Sequence, residues 1–380
     1  MTVPSRVAGL RRRGLLGLGL VATGVSVTGC GIGDSEPASK STPTPGGWVM
    51  PDEGERHTRT WMAFAASEQI WGADLIGEVH HNLAAIATAI GRFEPVTLLA
   101  NPDDVATARE LVGPGVTVVE SALDDLWIRD TGPTFVRGLQ GLAGVDFNFN
   151  GWGGKQQHAA DAKVAATVLQ HATVDRLTTE LVLEGGALEV DGRGTAIITR
   201  SCVLNDNRNR GWTADRVEVE LARLLGIRKL IWLPGIAGKD ITDGHTDFYA
   251  RFTAPGVVVA ALDEDADSFD HEVTKEHLAI LEAATDSEGR NLTVETLVAP
   301  RDIRQDFAGD DFAAGYVNFY LCNGAVIAPE FGDQLADRAA AETLRRLFPG
   351  REVVQVAIDG IAAGGGGIHC ATQQQPEVLA

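Results

Sequence analysis

From about residue 48 onward the chain repeats one pattern of apolar and polar positions: a short β-rich run, a polar Asn/Asp loop, an amphipathic helical stretch and a second β-rich run. The first copy starts at Val96, passes Asn101 and Asp104 into a helix over 105–112, and returns over 116–120. The second joins 145–149 to a helix over 158–171 and a strand over 180–184. The third joins 195–200, through the polar loop 205–209, to a helix over 214–225 and a strand over 229–233. The fourth runs 257–261, helix 271–284, strand 292–296, and the fifth 325–328, helix 336–347, strand 352–356. None of these copies carries enough apolar surface to form a core alone. Together they predict one α/β domain, closed around a common axis with a central pocket; the alternative is an ordinary open α/β sheet in which the recurrence is accidental.

Ahead of this pattern the character of the chain changes. Arg11, Arg12 and Arg13 precede an apolar, Gly-rich run that ends at Thr28, Gly29 and Cys30. The run is too short and too rich in glycine for a stable membrane span, and it reads as an export signal over 1–29. The stretch 27–30 resembles a bacterial lipobox with Cys30 as the acylated residue, and 12–16 resembles a twin-arginine signal. Residues 30–47 hold the Ser, Thr, Pro and Gly of an extended linker, leaving 48–380 as the folded domain. This places the protein on the outer face of a cell membrane as a lipoprotein, or in the cytoplasm if the signal is not used.

Composition narrows the partners. The 380 residues are 44% hydrophobic and 22% charged, which excludes a disordered or collagen-like chain. Acidic side chains number 52 against 32 basic ones, a formal charge of −20, and removal of 1–29 deletes four arginines and no acid. Such a surface repels nucleic acid and attracts small cations. The four cysteines, Cys30, Cys202, Cys322 and Cys370, are far apart and form no paired motif, so neither a zinc ribbon nor a disulfide scaffold is suggested.

The segments that follow the repeated units carry the candidate chemistry. Cys370 comes after four glycines, Gly364 to Gly367, and His369. Glycines allow close backbone approach and can present N–H groups to developing charge, as a thiolate nucleophile requires; the plainer reading is a free buried cysteine. His245 and Asp247, two apart, share one face of an extended segment and suit proton transfer beside a cation. Zinc ligation by His, Asp and Cys is the competing reading, but no paired-Cys or H-E-x-x-H motif supports it, and neither metal nor cofactor is expected. Asp130 follows Trp127 and precedes a Gly-Pro turn, although Arg129 and Asp130 would also suit a local salt bridge. Glu184 opens a glycine turn; a carboxylate beside an imidazole keeps it cationic. Trp127, Trp152, Asp243 and Gly366 are expected on the substrate side. Several carboxylates around one thiol need a cation between them, and a guanidinium fits best: planar, permanently charged, with paired N–H donors and a face that stacks on indole.

These residues, in order, make the sequence resemble the agmatine deiminase family of guanidino-group-modifying enzymes, related to bacterial peptidylarginine deiminases. The resemblance runs over about 48–378 and includes the stretches around Trp61, 127–133, 150–155, 183–186, 205–209, 242–247, 316–320 and 368–376. It implies a single-domain, pseudo-symmetric five-bladed α/β propeller of ββαβ units. It also implies Cys370 as nucleophile, His245 as general acid and base, Asp130 and Asp247 as guanidinium clamp, Glu184 as the partner orienting His245, and Trp127 in the substrate pocket. Gly367 departs from the family, which has Asn there. The expected reaction is hydrolysis of agmatine to N-carbamoylputrescine and ammonia. Alternatives are a deiminase of peptidyl-arginine, an amidinotransferase, and a polyamine-binding lipoprotein without chemistry; self-association into a homo-oligomer is left open.

Overall fold

The computed structural model describes residues 47–309 and 311–378, so the expected export signal (1–29), the lipid-bearing Cys30 and nearly all of the linker lie outside the described residues. Among the described residues, strands appear in the order β1 (His57–Phe64), β2 (Val96–Ala100), β3 (Val116–Glu120), β4 (Thr134–Gly138), β5 (Gly141–Asp146), β6 (Asp175–Thr178), β7 (Leu188–Val190) and β8 (Thr195–Thr199). They continue with β9 (Lys229–Leu233), β10 (Ala250–Ala254), β11 (Val257–Leu262), β12 (Thr293–Val298), β13 (Tyr320–Cys322), β14 (Ala325–Glu330), β15 (Glu352–Ala357) and β16 (Thr372–Pro376).

These strands form five separate sheets built to one plan. An antiparallel pair, such as β4 with β5 or β13 with β14, is followed by a crossover helix and a third strand parallel to the second. The crossover helices Val164–Ala172, Ala214–Leu225, His271–Ala283 and Gln334–Leu347 serve four of the sheets. Their sequences explain them. Thr213 caps the second by accepting from Arg216 N, Gly226 ends it in the left-handed conformation, and Asp333 caps the fourth by accepting from Leu335 N and Ala336 N. Each helix buries its apolar stripe on its own sheet, as Leu221, Leu224 and Leu225 do.

The fifth sheet corrects the sequence reading. The stretch 96–120 is not the first copy of the repeat but an appended crossover, in which β3 extends the sheet β16-β1-β2-β3. The true counterpart takes β16 from the C-terminal end, pairs it antiparallel with β1, and crosses through the helix Glu68–Gly91 to β2. That helix is hard to read because it is buried on much of its circumference, with Val79, His80, Asn82, Leu83, Ala84, Ile86 and Ala87 all inside, so no clean polar stripe marks it. β16 is equally hidden. Its Thr and Gln side chains are buried, Gln375 accepting from Trp61 Nε1 at 3.0 Å and Gln374 from Arg129 Nη1 at 2.7 Å.

A second correction concerns 180–184. The third strand of that sheet is β6, because Thr173 adopts φ +56° at the helix end and the chain turns straight into the sheet. Residues 180–184 are then free to run as a loop toward the site. The expected helix over 158–171 is also shorter, a 3-10 turn Asp161–Lys163 leading into Val164–Ala172.

The apolar clusters of strand and helix residues would not place the chemistry by themselves; the segments entering each antiparallel pair do. Asp130 lies just before β4, Glu184 before β7, His245 and Asp247 before β10, Asn318 before β13, and Cys370 before β16. One position in the shared plan thus supplies a polar side chain from every sheet.

Candidate active site

Cys370 is held by its neighbours on both sides. The backbone N–H of Arg129 donates to Cys370 O at 3.1 Å, tying the thiol turn to the one-turn helix Ile128–Thr131 that carries Asp130. Asn318 clamps the other side: Oδ1 accepts from His369 N at 2.9 Å and Cys370 N at 3.4 Å, while Nδ2 donates to Cys370 Sγ at 3.2 Å. Gly366 is required by packing, since a Cβ there would sit 2.1 Å from the Trp127 ring. At Gly367 a Cβ would meet Asn318 Oδ1 at 2.4 Å. Burial, then the Asp247 and Asp130 charges, hold the Cys370 thiol well above its usual pKa. The resting group is a neutral S–H, directed at Asp247 Oδ2 3.5 Å away.

Around the thiol stand the expected imidazole and carboxylates, all buried. His245 precedes, and Asp247 lies within, a 3-10 turn Thr246–Phe248 rather than the extended segment expected from their spacing. They nevertheless converge. A Cβ on Gly186 would lie 2.7 Å from His245 Nδ1 and 3.0 Å from both Asp130 Oδ1 and Asp247 Oδ2, so only glycine leaves room between them. His245 Nε2 faces Glu184 Oε2 at 3.4 Å and its Nδ1 lies 3.7 Å from Asp130 Oδ2. Burial works against its charge, but Asp130, the neighbouring Cys202 sulfur and Glu184 raise its pKa well above the ordinary value, leaving an imidazolium.

The two clamp carboxylates differ. Burial pushes Asp130 up to about 6 against the opposing pull of His245, with Asp247 and Glu184 adding to the rise. Trp152 Nε1 donates to Asp130 Oδ2 at 2.9 Å and Gly186 N to Oδ1 at 3.0 Å. Trp152 itself sits at φ +53°, an uncommon backbone for a bulky side chain, which turns its indole toward Asp130. Asp247 stays below the usual carboxylate range; burial opposes this, but the His369 hydrogen bond and charge outweigh it. Its Oδ2 accepts from His369 Nδ1 at 2.7 Å, while Oδ1 is buried with no hydrogen-bond partner. A buried carboxylate oxygen without a donor calls for a cation.

Behind this shell lies a charged network that sequence reasoning did not find. His369 Nε2 meets Glu53 Oε2 at 3.0 Å, and Glu53 is bound by Arg129 Nη2 at 2.9 Å and Arg251 Nη2 at 2.8 Å. Burial, Arg129 and Arg251 press the His369 pKa down, yet carboxylate oxygens face both ring nitrogens, which only a doubly protonated ring satisfies; the geometry decides. Arg129 therefore serves Glu53 and Gln374, not a local pair with Asp130. On the opposite side Arg208 Nε donates to Glu184 Oε1 at 3.0 Å. Asp243 does not reach the substrate side, contrary to expectation. Its carboxylate is taken up by Lys155 Nζ at 2.7 Å, Asn207 Nδ2 at 3.1 Å, Gly238 N at 2.8 Å and Arg208. Its φ of +63° forms the bend that delivers His245. Trp127 packs against Gly366, and its ring lies 5.8 Å from that of Trp71, tilted by 31°.

A thiol, an imidazolium, two carboxylates with an unsatisfied oxygen, and two indoles can bind a planar cation and attack it. Comparison with known proteins identifies the family. The sequence profile of the Porphyromonas-type peptidyl-arginine deiminases matches residues 49–376. The agmatine deiminase of Stutzerimonas stutzeri A1501 is 41% identical over 360 residues, spanning 88% of this chain and 97% of its own. That of Medicago truncatula is 38% identical over 375 residues, spanning 89% and 99%. Among solved structures, the agmatine deiminase of Enterococcus faecalis superposes with a TM-score of 0.81 at 32% identity, covering 90% of this chain and 100% of its own. The chain belongs to the Porphyromonas-type peptidyl-arginine deiminase family, with agmatine deiminases among its relatives in sequence and in structure.

Proposed function

We propose that the protein hydrolyses the guanidino group of agmatine, releasing ammonia and N-carbamoylputrescine through a covalent thiouronium on Cys370. The observation that carries this reading is the orphaned, buried Oδ1 of Asp247, whose sister oxygen lies 3.5 Å from the Cys370 thiol. A guanidinium donating to Asp247 and Asp130 satisfies that oxygen and sets its carbon beside sulfur. Its positive charge offsets the two carboxylates that hold the thiol protonated, so substrate entry itself favours the thiolate, the thiol proton passing to solvent. Sulfur attacks the carbon, the His245 imidazolium gives its proton to the departing nitrogen, and ammonia leaves. Water then adds to the thiouronium carbon, returning one proton to His245, and as the C–S bond breaks the remaining hydroxyl proton passes to the departing sulfur, freeing the ureido product and restoring the Cys370 thiol. Glu184 holds His245 through Nε2 and is itself held by Arg208.

The shared strand plan of the five sheets, with a site residue entering each antiparallel pair, supports their arrangement as blades of a five-bladed propeller with the site near its axis. The arginine-led apolar run ending at Thr28, Gly29 and Cys30 supports export with a lipid on Cys30. Incorporation of labelled lipid into wild type but not Cys30→Ala tests that reading. For the activity, agmatine and arginine-containing peptides are offered to the purified full chain while ammonia and ureido product are followed. Equal amounts of both from agmatine, absent in Cys370→Ala, are expected; turnover undiminished in that variant contradicts the assignment.

A further inference from the structure

Glu184 Oε2 is shared. His245 Nε2 lies 3.4 Å from it, and so does the Sγ of Cys202, which belongs to the short helix Arg200–Val203 following β8. The other oxygen, Oε1, is committed to Arg208 Nε at 3.0 Å. Cys202 is free and wholly buried, and burial followed by the Glu184 charge pushes its thiol up to about 11, so the group is a neutral S–H that donates to the carboxylate. Packing alone would be met by any small apolar side chain, yet here a donor points at the carboxylate oxygen that holds the imidazole.

We infer that Cys202 is a positioning residue for His245, its S–H sharing Glu184 Oε2 with the imidazole Nε2 and so limiting how strongly Glu184 holds the ring whose other nitrogen, Nδ1, exchanges a proton with ammonia and water. This rests on the deimination reading for its role in turnover, but not for its effect on the imidazole. The groups facing His245 are Asp130 from the one-turn helix before β4, Glu184 from the loop before β7, Cys202, and Asp247 of its own turn, with Arg208 behind Glu184. The same trio places ligand-type atoms within 4.8 Å of one another, as a metal would need. Each of those atoms already has a hydrogen-bond partner inside the trio, and Arg208 charges the remaining oxygen, so a shared proton network describes them better than a cation site.

As an acceptor or anion beside the imidazole the Cys202 sulfur would raise the His245 pKa, but as a neutral S–H committed to Oε2 it competes with the ring, so its removal gives Oε2 wholly to His245 and strengthens the imidazolium–carboxylate bond. The test follows the His245 ring by NMR across pH in the full chain, together with agmatine turnover, for wild type, Cys202→Ala, Cys202→Val, which keeps volume without a donor, and Cys202→Ser, which keeps a donor. In Ala and Val the His245 midpoint is expected to rise by about 0.5–1 unit, the equivalent of one modest hydrogen bond. In both, kcat is expected to fall about 3- to 10-fold with KM within about twofold, and Ser is expected to restore both readouts. Midpoints unchanged or lowered in both donor-free variants, or a loss that Ser does not restore, overturn the inference. Absence of agmatine turnover in wild type counts instead against the proposed activity, and the NMR midpoints still decide the role of Cys202.

Discussion

Replacing Asp247 by Asn is the most informative single perturbation of the clamp, because the two oxygens have separate jobs. Oδ2 is bound by His369 at 2.7 Å and can persist as the amide oxygen, whereas the unpartnered Oδ1 becomes an NH2 that faces the guanidinium with the wrong polarity. A charge-assisted hydrogen bond in a buried site is worth about 1.5–3 kcal/mol, and its loss with no compensating contact lowers kcat/KM by about 10- to 150-fold. The resting thiol should respond in the opposite direction. The Asp247 charge helps hold Cys370 protonated, so Asn lowers the thiol pKa and speeds alkylation by iodoacetamide in the absence of substrate. Initial rates of ammonia release over a range of agmatine concentrations, set beside alkylation half-times, read both effects. A kcat/KM within twofold of wild type, or alkylation slower than wild type, refutes the reasoning.

Three further outcomes follow from the geometry. Gly366→Ala pushes a methyl into the Trp127 ring and should cost about 1–3 kcal/mol of stability together with most of the activity, read by thermal melts and kcat/KM; a silent variant would show that Trp127 is free to move. Since burial first of all sets Asp130 up to about 6, kcat/KM should fall as pH drops through that value and the clamp loses its charge, and Asp130→Asn should have low activity without that limb. Asp161, pushed up to about 7 by burial, has an oxygen with no partner. A carboxyl whose folded pKa exceeds its unfolded value near 3.8 makes the protein less stable as pH rises from about 4 to 7. Asp161→Asn should therefore raise Tm at pH 8 by about 2–4 °C and leave it nearly unchanged at pH 4.

Legibility in the sequence followed the physics of each element. Helices with one apolar stripe, such as Ala214–Leu225, and apolar parallel strands, such as Val257–Leu262, have a period that any reading detects. The helix Glu68–Gly91 and the strand Thr372–Pro376 do not, one being buried on several faces and the other burying glutamines that bind Trp61 and Arg129. Missing both displaced the frame of the first repeat. The site was clearer because Cys370, His245, Asp247, Asp130 and Glu184 each occur in a short Gly- or Asp-marked stretch entering a sheet. Asn318 lies in the resembling stretch 316–320 but among aromatic core residues, and Glu53 pairs with Arg129, Arg251 and His369 across long sequence separations, so no local pattern exposes the role of either. Asp243 stands two residues from His245, and that position cannot reveal that a positive φ turns its carboxylate toward Lys155 and Arg208.

The central claim is that Cys370 itself carries the guanidino carbon between ammonia release and water entry. Acid quenching of the enzyme during agmatine turnover, followed by peptide mass spectrometry, tests it most directly. An adduct equal to agmatine less ammonia is expected on the peptide containing Cys370, formed before product appears and absent from Cys370→Ala. Steady turnover with no adduct on that peptide, or the same adduct on Cys202 or Cys322 instead, would contradict it.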